Sequence, residues 1–324
     1  MKNKLFMKEA VTPRLLLLDG LSRAGKMLAG KLISNFQRVE YFLPDEAVDH
    51  VGILRQLDVI DDDNAIAFLR LHLDVAIYNQ AVGRNLNIRQ DDSSSIHLAL
   101  NYPEYAKRAL ESDIDDVMER FNEEGRFPLF LTHEMLPNID LFFAAADDLR
   151  VIEMVRHPVD LTYSWFQRGW GERWGTDPLA LTPALKHGDA PVPWFTAEFA
   201  DDYLALPPMD RVIRSILAMR DYGAARYEKL SPEQQARIHF LPYEGLITAP
   251  TAEIDKLAVF MGTEPLDGMS WILAREGLPA GSLTESVREK FSFIKENAAS
   301  ELFEGLLTAA DEYEAEWDQE PLIQ

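Results

Sequence analysis

The chain has 324 residues and a formal net charge of −22, from 54 acidic and 32 basic side chains. A field of that sign repels nucleic acid and anionic membrane surfaces, so neither is an expected partner, and it weighs against a polyanionic substrate unless cations cluster locally. Cysteine is absent, which excludes disulfides, thiolate metal sites and cysteine nucleophiles; no signal peptide or membrane-inserting run is visible, and the cytoplasm is the expected location.

Leu15–Leu18 is a short apolar run closed by Asp19-Gly20 and reads as a buried strand. A helix is expected from Gly25 to about Phe36, and a second strand over Val39–Leu43. The acidic stretch Asp58–Asn64 reads as a capping loop for a long helix over Ala65–Val82; its spacing does not fit a calcium loop. Gly83–Ser95 breaks the periodicity as a polar loop, and helical patterns return over Pro103–Glu124. Phe127–His133 and Leu149–Pro158 are the next strand candidates, and Pro158 suits the first turn of a helix continuing from Val159. Thr176–Pro208 is rich in Pro, Gly, Trp and Phe with little periodicity, and is expected to be a long inserted loop or lid. Helices over Arg211–Leu230, Ala252–Met261 and Thr284 to about Trp317, with a strand at Ile238–Leu241, complete the chain.

Short strands alternating with helices predict an α/β fold with a central parallel sheet covered on both faces. Residues 1–324 are expected to form a single domain, with a helical insertion at about 45–125, a lid-like loop at about 170–208 and a C-terminal helical segment at about 266–324.

Chemistry concentrates after the first strand. Gly20-Leu21-Ser22-Arg23-Ala24-Gly25-Lys26 has the G-x-x-x-x-G-K spacing of a phosphate-binding loop, with Met27 where Ser or Thr would hold magnesium. Loop N–H groups and a helix N-terminus make an anion site, with Lys26 as a point charge and Ser22 and Arg23 as further donors. The match is either accidental or belongs to a loop that binds a phosphate ester without metal. A second motif, Arg156-His157-Pro158 with Ser164 eight residues after the arginine, puts a charged fork at a strand end and a hydroxyl on the following helix. Its bland alternative is a strand–turn–helix corner whose arginine pairs with a nearby carboxylate.

Together these stretches resemble the sulfotransferases that use 3′-phosphoadenosine-5′-phosphosulfate (PAPS). Gly20 to Lys26 is similar to their 5′-phosphosulfate loop, and Arg156 to Ser164 to their 3′-phosphate motif. Tyr243 to Gly262 resembles their Tyr-Glu-x-Leu segment with its following helix, and Thr132 to Asn138 the Thr-His-x-x-Pro stretch of cytosolic members. The four matches keep family order, with departures that mark a diverged bacterial-type member: Ala24-Gly25-Lys26 replaces Ser-Gly-Thr, Leu131 stands where a lysine is usual, and the C-terminal Arg-Lys-Gly clamp is missing, with Arg275 to Lys290 as a candidate substitute.

The resemblance implies a P-loop-type sheet and metal-independent, in-line transfer of a sulfuryl group from PAPS to a hydroxyl or amine of an organic acceptor, leaving adenosine-3′,5′-bisphosphate. It implies cofactor contacts at Gly20, Leu21, Ser22, Arg23, Ala24, Gly25, Lys26, Met27, Arg156, Ser164 and Tyr243. Lys26 is then also catalytic, and His133 is the expected base, with Glu134 its nearest rival and Glu40 and Asp45 as further alternatives. Strand alternation would point His133 and Glu134 to opposite sides. The three tryptophans of Trp165–Trp174 either cover a core edge, line an acceptor pocket or stack on adenine. Small molecule, carbohydrate and lipid headgroup all stay open as acceptors, as does oligomeric state. An ATP-dependent small-molecule kinase and a non-catalytic nucleotide-binding module are the competing readings; Met27 and the lack of a strand-end magnesium aspartate speak against the first.

Overall fold

A computed structural model describes residues 3–111, 114, 116–281 and 283–321. Within the expected helical stretch over Pro103–Glu124, residues 112, 113 and 115 lie outside the described residues, as do residue 282 and residues 322–324 of the C-terminal segment. The first half of the chain runs β1 (Arg14–Gly20), α1 (Lys26–Ile33), β2 (Leu43–Pro44), α2 (Glu46–Gln56), α3 (Asp62–Ala81), α4 (Tyr102–Arg108), α5 (Val117–Glu123), β3 (Leu129–Leu131), α6 (Ile139–Ala145), β4 (Asp148–Val155) and α7 (Pro158–Gln167). The second half runs β5 (Ala184–His187), β6 (Ala190–Pro193), α8 (Ala200–Ala205), α9 (Pro208–Glu228), α10 (Pro232–Gln235), β7 (Ile238–Pro242), α11 (Tyr243–Thr248), α12 (Pro250–Met261), α13 (Met269–Arg275), α14 (Thr284–Asn297) and α15 (Ser300–Glu316).

Five strands form one parallel sheet in the order β2-β3-β1-β4-β7, with Leu17 opposite Phe130 and Leu18 opposite Ile152. The period of two along a strand, with both faces covered, explains why Leu15–Leu18 of β1 are apolar at every position. Leu15 and Leu17 join one core with Val151, Phe130 and the inner faces of α3, α6 and α9; Leu16 and Leu18 join another with Leu129, Leu131, Ile152 and the buried side chains of α1, α12 and α13. Both faces of the sheet are thus covered, and ligand-binding groups are left to the carboxyl ends of the strands.

Three expectations need correction. Val39–Leu43 is not one continuous strand: only Leu43 belongs to one, β2. Val39 makes a single parallel bridge to Phe127, and the amides of Tyr41 and Phe42 donate to Tyr105 Oη (2.8 Å) and Ser34 Oγ (2.9 Å), so side chains take the place of a ladder until β2. Thr176–Pro208 is not an irregular loop. It holds the β5–β6 antiparallel hairpin and short helices, anchored by buried Val192, Trp194, Phe195 and Tyr203. The expected helix from Thr284 to Trp317 breaks in two at Ala298 and Ala299, both extended, where the Ala299 amide donates to Asp210 Oδ1 at 2.8 Å. The break folds α15 back beside α14, where Val287, Ile294, Phe303 and Leu306 share a core with Val159 of α7.

Candidate active site

The loop between β1 and α1 opens α1 at Lys26, with Gly25 as its N-cap, so no side chain takes up the first-turn N–H groups. The Leu28 amide turns back onto the Gly25 carbonyl (3.0 Å), and a helix N-terminus without a side-chain cap suits an anion. Gly25 has φ +106°, and a Cβ there would stand 2.4 Å from Cδ2 of Tyr243. The tyrosine ring therefore sits against the loop backbone itself. Arg23 also has positive φ (71°), so the turn is wound tightly enough to carry a non-glycine residue in the left-handed region.

Lys26 is buried and donates to the Gly20 and Leu21 carbonyls (2.5 and 3.0 Å). Burial lowers its pKa, and the neighbouring Glu134, Asp19 and Glu153 carboxylates oppose that. Glu153, at the end of β4, is pushed well above the usual carboxylate range by burial and by Asp19. Asp19 itself accepts from Thr132 Oγ1 (2.9 Å) and the Met135 amide (2.8 Å), tying the end of β1 to the chain after β3.

Cations converge beside the loop. Arg23 Nε donates to Ser164 Oγ (3.2 Å), Arg156 Nη1 donates to the Arg23 carbonyl (2.6 Å), and the Arg156 guanidinium lies 4.3 Å over the Tyr243 ring. Burial and the charges of Arg168 and Arg156 lower the pKa of Arg23. Asp160 accepts from Arg156 Nε (2.6 Å) and also pairs with Lys290 of α14. Burial alone would raise Asp160, but the Arg156 and Lys290 charges hold it below the usual range.

The turn at His157-Pro158 is locked from behind. The His157 amide donates to Glu244 Oε1 (3.0 Å), its Nδ1 accepts from the Val159 amide (3.3 Å), and its Nε2 meets Glu314 Oε1 of α15 (3.0 Å). Tyr313 of α15 donates to the other oxygen of Glu244. The C-terminal helix thereby holds Arg156 and Tyr243 in mutual register.

On the far side of the loop, a cavity of about 160 Å3 is lined by Ser22, His133 and Glu134, by Glu46, Asp49 and His50 of α2, and by Trp170, Trp174 and Leu179–Thr182. His133 Nδ1 lies 3.0 Å from Asp49 Oδ2. Burial and the Lys26 charge lower the His133 pKa to about 4. Burial and the Asp19 carboxylate push Asp49 well above its usual range, opposed by the hydrogen bond from the His133 amide. Glu134, with φ +59°, accepts from the Ser22 amide at 2.7 Å. An anion seat, a cation cluster and a histidine-bearing cavity thus meet at the carboxyl ends of β1, β3, β4 and β7.

The profile of the sulfotransferase domain matches residues 17–293. The chain belongs to the sulfotransferase family. It is an enzyme that transfers sulfuryl groups, and its family acts on small-molecule acceptors. No curated protein sequence matches it. Among solved structures it is similar to the sulfotransferase domain from the curacin biosynthetic pathway, with 14% identity, 95% of this chain and 98% of that chain covered, and a TM-score of 0.50. The sulfotransferase domain of the Synechococcus PCC 7002 olefin synthase (12% identity, 83% and 79% covered, TM-score 0.45) and a sulfotransferase from Alicyclobacillus acidocaldarius (12%, 95% and 97%, 0.41) are also similar. At such identities the likeness concerns the fold.

The structure brings the expected residues of this sulfotransferase into two groups. Gly20 through Met27, Arg156, Ser164 and Tyr243 surround the β1–α1 loop, with Met27 half-buried among apolar neighbours. His133 and Glu134 line the cavity together, against the expectation that alternation would separate them. The reason is local: β3 stops at Leu131, and the left-handed backbone of Glu134 turns its carboxylate back onto the loop. Glu40 and Asp45 are elsewhere. Glu40 is fully buried between Arg108 (2.8 Å) and Arg126 (3.0 Å), and Asp45 caps α2 and bonds His72 (3.0 Å). Of the stretch Arg275 to Lys290, Lys290 reaches the Arg156–Asp160 pair, whereas Arg275 bonds the Leu98 carbonyl (3.0 Å). The three tryptophans divide: Trp165 is buried and donates to the Ser22 carbonyl (2.7 Å), and Trp170 and Trp174 line the cavity.

Sequence reasoning missed Asp19, Asp49, Glu153 and Asp160. Asp19 had a signal, a charge ending an apolar strand. Asp160 had one too, standing four residues after Arg156, with which it pairs; Asp49 and Glu153 had none, because the groups they meet lie on other elements. Among the described residues no cluster of His, Asp or Glu is arranged to hold a metal, and no helix is long and apolar enough to cross a membrane.

Proposed function

We propose that this sulfotransferase takes its sulfuryl group from PAPS and passes it to a hydroxyl or amine of a small organic acceptor held in the cavity beside His133. The observation that carries the reading is the convergence of Arg23, Arg156 and Ser164 beside the loop in a chain with net charge −22: Arg156 Nη1 donates to the Arg23 carbonyl (2.6 Å) and Arg23 Nε to Ser164 Oγ (3.2 Å). Like charges gathered at a strand end, beside a serine hydroxyl and a helix N-terminus, fit a polyphosphorylated nucleotide. PAPS supplies a sulfuryl group activated by its anhydride link to phosphate.

The residues then divide the work. The loop from Gly20 to Met27 and the first turn of α1 receive the 5′ end. Lys26 has three N–H groups and two engaged in the loop, which leaves one for an anionic oxygen. Arg156, Ser164 and Arg23, with Lys290 behind them, receive the 3′-phosphate, and Tyr243 carries Arg156 on its ring face. His133 is neutral at pH 7 and offers a nitrogen to the acceptor proton. Glu134 holds the Ser22 amide, so we assign it to shaping the loop before proton transfer. We read the transfer as needing no metal. We read residues 1–324 as one such domain working in the cytoplasm.

The test is a thermal-shift and calorimetric comparison of adenosine-3′,5′-bisphosphate, AMP, and ATP with Mg2+. The bisphosphate should bind roughly ten- to a hundred-fold more tightly than AMP, the worth of one charge-assisted contact. Arg156→Ala should abolish the difference, and transfer should survive EDTA. Equal binding of bisphosphate and AMP would remove the 3′-phosphate assignment, and preference for ATP with Mg2+ would favour a kinase.

A further inference from the structure

Helix α2 comes from the segment between β2 and β3, yet it reaches the end of β3. Asp45 caps its start by accepting from the Ala47 amide (3.1 Å). At Gly52 it presses so closely on the chain after β3 that a Cβ would stand 2.8 Å from Met135 Sδ. One turn earlier on that helix stands Asp49, 5% exposed. Its two oxygens take two different groups of one residue: Oδ1 accepts from the His133 backbone amide (3.1 Å) and Oδ2 faces His133 Nδ1 (3.0 Å).

A carboxylate held this way fixes more than position. The backbone bond sets where the carboxylate lies relative to the ring, and the second oxygen then asks Nδ1 to carry the proton. Nε2 is left as the lone-pair nitrogen. The His133 side chain is 32% exposed, at the cavity wall. The charged groups around the pair are Lys26 of α1, Asp19 of β1, Glu134 and Glu46. Burial and Lys26 act against an imidazolium, so a base that must become charged during proton transfer needs a counter-charge in contact with it. Asp49 is the carboxyl group in that contact; burial and Asp19 raise its own pKa, and the His133 amide on Oδ1 works against that rise and favours the carboxylate form that the pair needs.

We propose that Asp49 is the positioning residue of the catalytic base: it holds His133 as the Nδ1–H tautomer, aims Nε2 at the acceptor hydroxyl, and stabilises the imidazolium formed when that proton moves to Nε2. The inference rests on the reading of His133 as base. It extends that reading to a histidine–carboxylate dyad assembled from α2 and the end of β3. In the step itself the O–H bond of the acceptor breaks, the N–H bond at Nε2 forms, and the electron pair stays on the acceptor oxygen for its attack.

The experiment compares wild type with Asp49→Asn, Asp49→Ala and His133→Ala, reading turnover, adenosine-3′,5′-bisphosphate affinity and the His133 tautomer by nitrogen-edited histidine NMR. Asparagine is nearly isosteric. If its oxygen keeps the backbone bond, its NH2 faces Nδ1 and forces the proton to Nε2. The wild type should show the Nδ1–H tautomer and Asp49→Asn the Nε2–H tautomer. In that variant kcat should fall about a hundred-fold or more while bisphosphate affinity stays within about two-fold. A wild-type Nε2–H tautomer overturns the proposal without any variant, so a misfolded Asp49→Ala does not protect it. Near-normal turnover in Asp49→Asn beside a dead His133→Ala overturns the dyad and leaves His133 as base. Near-normal turnover in His133→Ala overturns the base reading and the dyad with it.

Discussion

Replacing Gly25 by alanine tests how tightly the phosphate loop is built. Two costs can be read from the structure. Gly25 has φ +106°, a region an L-residue enters only with strain of roughly 1–3 kcal/mol. The new methyl group would also stand 2.4 Å from Cδ2 and 2.9 Å from Cε2 of Tyr243, a ring edge rather than a flexible tip, and such overpacking costs about 1–3 kcal/mol. Gly25→Ala should therefore destabilise the protein by about 2–6 kcal/mol in urea unfolding. Moving the Tyr243 ring also disturbs the face under Arg156, 4.3 Å above it, so bisphosphate affinity in the folded fraction should drop roughly two- to thirty-fold. A double-mutant cycle with Tyr243→Ala separates the terms: the clash should appear as a favourable coupling of about 1–3 kcal/mol, and the backbone strain should remain. A Gly25→Ala protein within about 0.5 kcal/mol of wild type, with unchanged affinity, would refute the argument.

Glu40→Gln should cost about 3–5 kcal/mol, because Arg108 and Arg126 lose the buried carboxylate between them; turnover of the folded protein should stay near normal, and a specific loss of turnover would return Glu40 to the candidate bases. For His133 the folded-state pKa of about 4 lies below the 6.5 of an unfolded chain. The stability gained by keeping this ring neutral is thus full above about pH 6.5 and is lost as pH falls from there toward 4. Urea midpoints measured across that window should fall more steeply for wild type than for His133→Gln, and identical slopes would remove His133 as a source of the acid sensitivity.

The local motifs were legible because they depend on short-range rules. An apolar run ending in Asp19-Gly20 and followed by a helical period can only be a strand, a loop and a helix, and Pro158 starts α7 where its missing N–H does no harm. The order of the motifs was enough to name the family, and the alternation of elements was enough to predict a parallel sheet. Val39–Leu43 misled because its middle is buried without a strand ladder; the Tyr41 and Phe42 amides and the Glu40 carboxylate are satisfied by side chains from α4, the end of α1 and the residues before β3. The interior of Thr176–Pro208 misled in the opposite sense, since prolines and aromatics hid a hairpin whose order comes from packing Trp194 and Phe195 into the core.

The amino-acid sequence by itself determined where the phosphate-binding backbone, the arginine–serine pair and the candidate base stand along the chain, because each is a local pattern of a few residues. Only the tertiary structure decided what surrounds them. Asp49 meets His133 across 84 positions, Lys290 meets Asp160 across 130, and Glu314 meets His157 across 157. These contacts set proton positions, counter-charges and rigidity at the site. Their strength depends on distance in space and on exclusion of water, and neither is written in the spacing of residues along a chain.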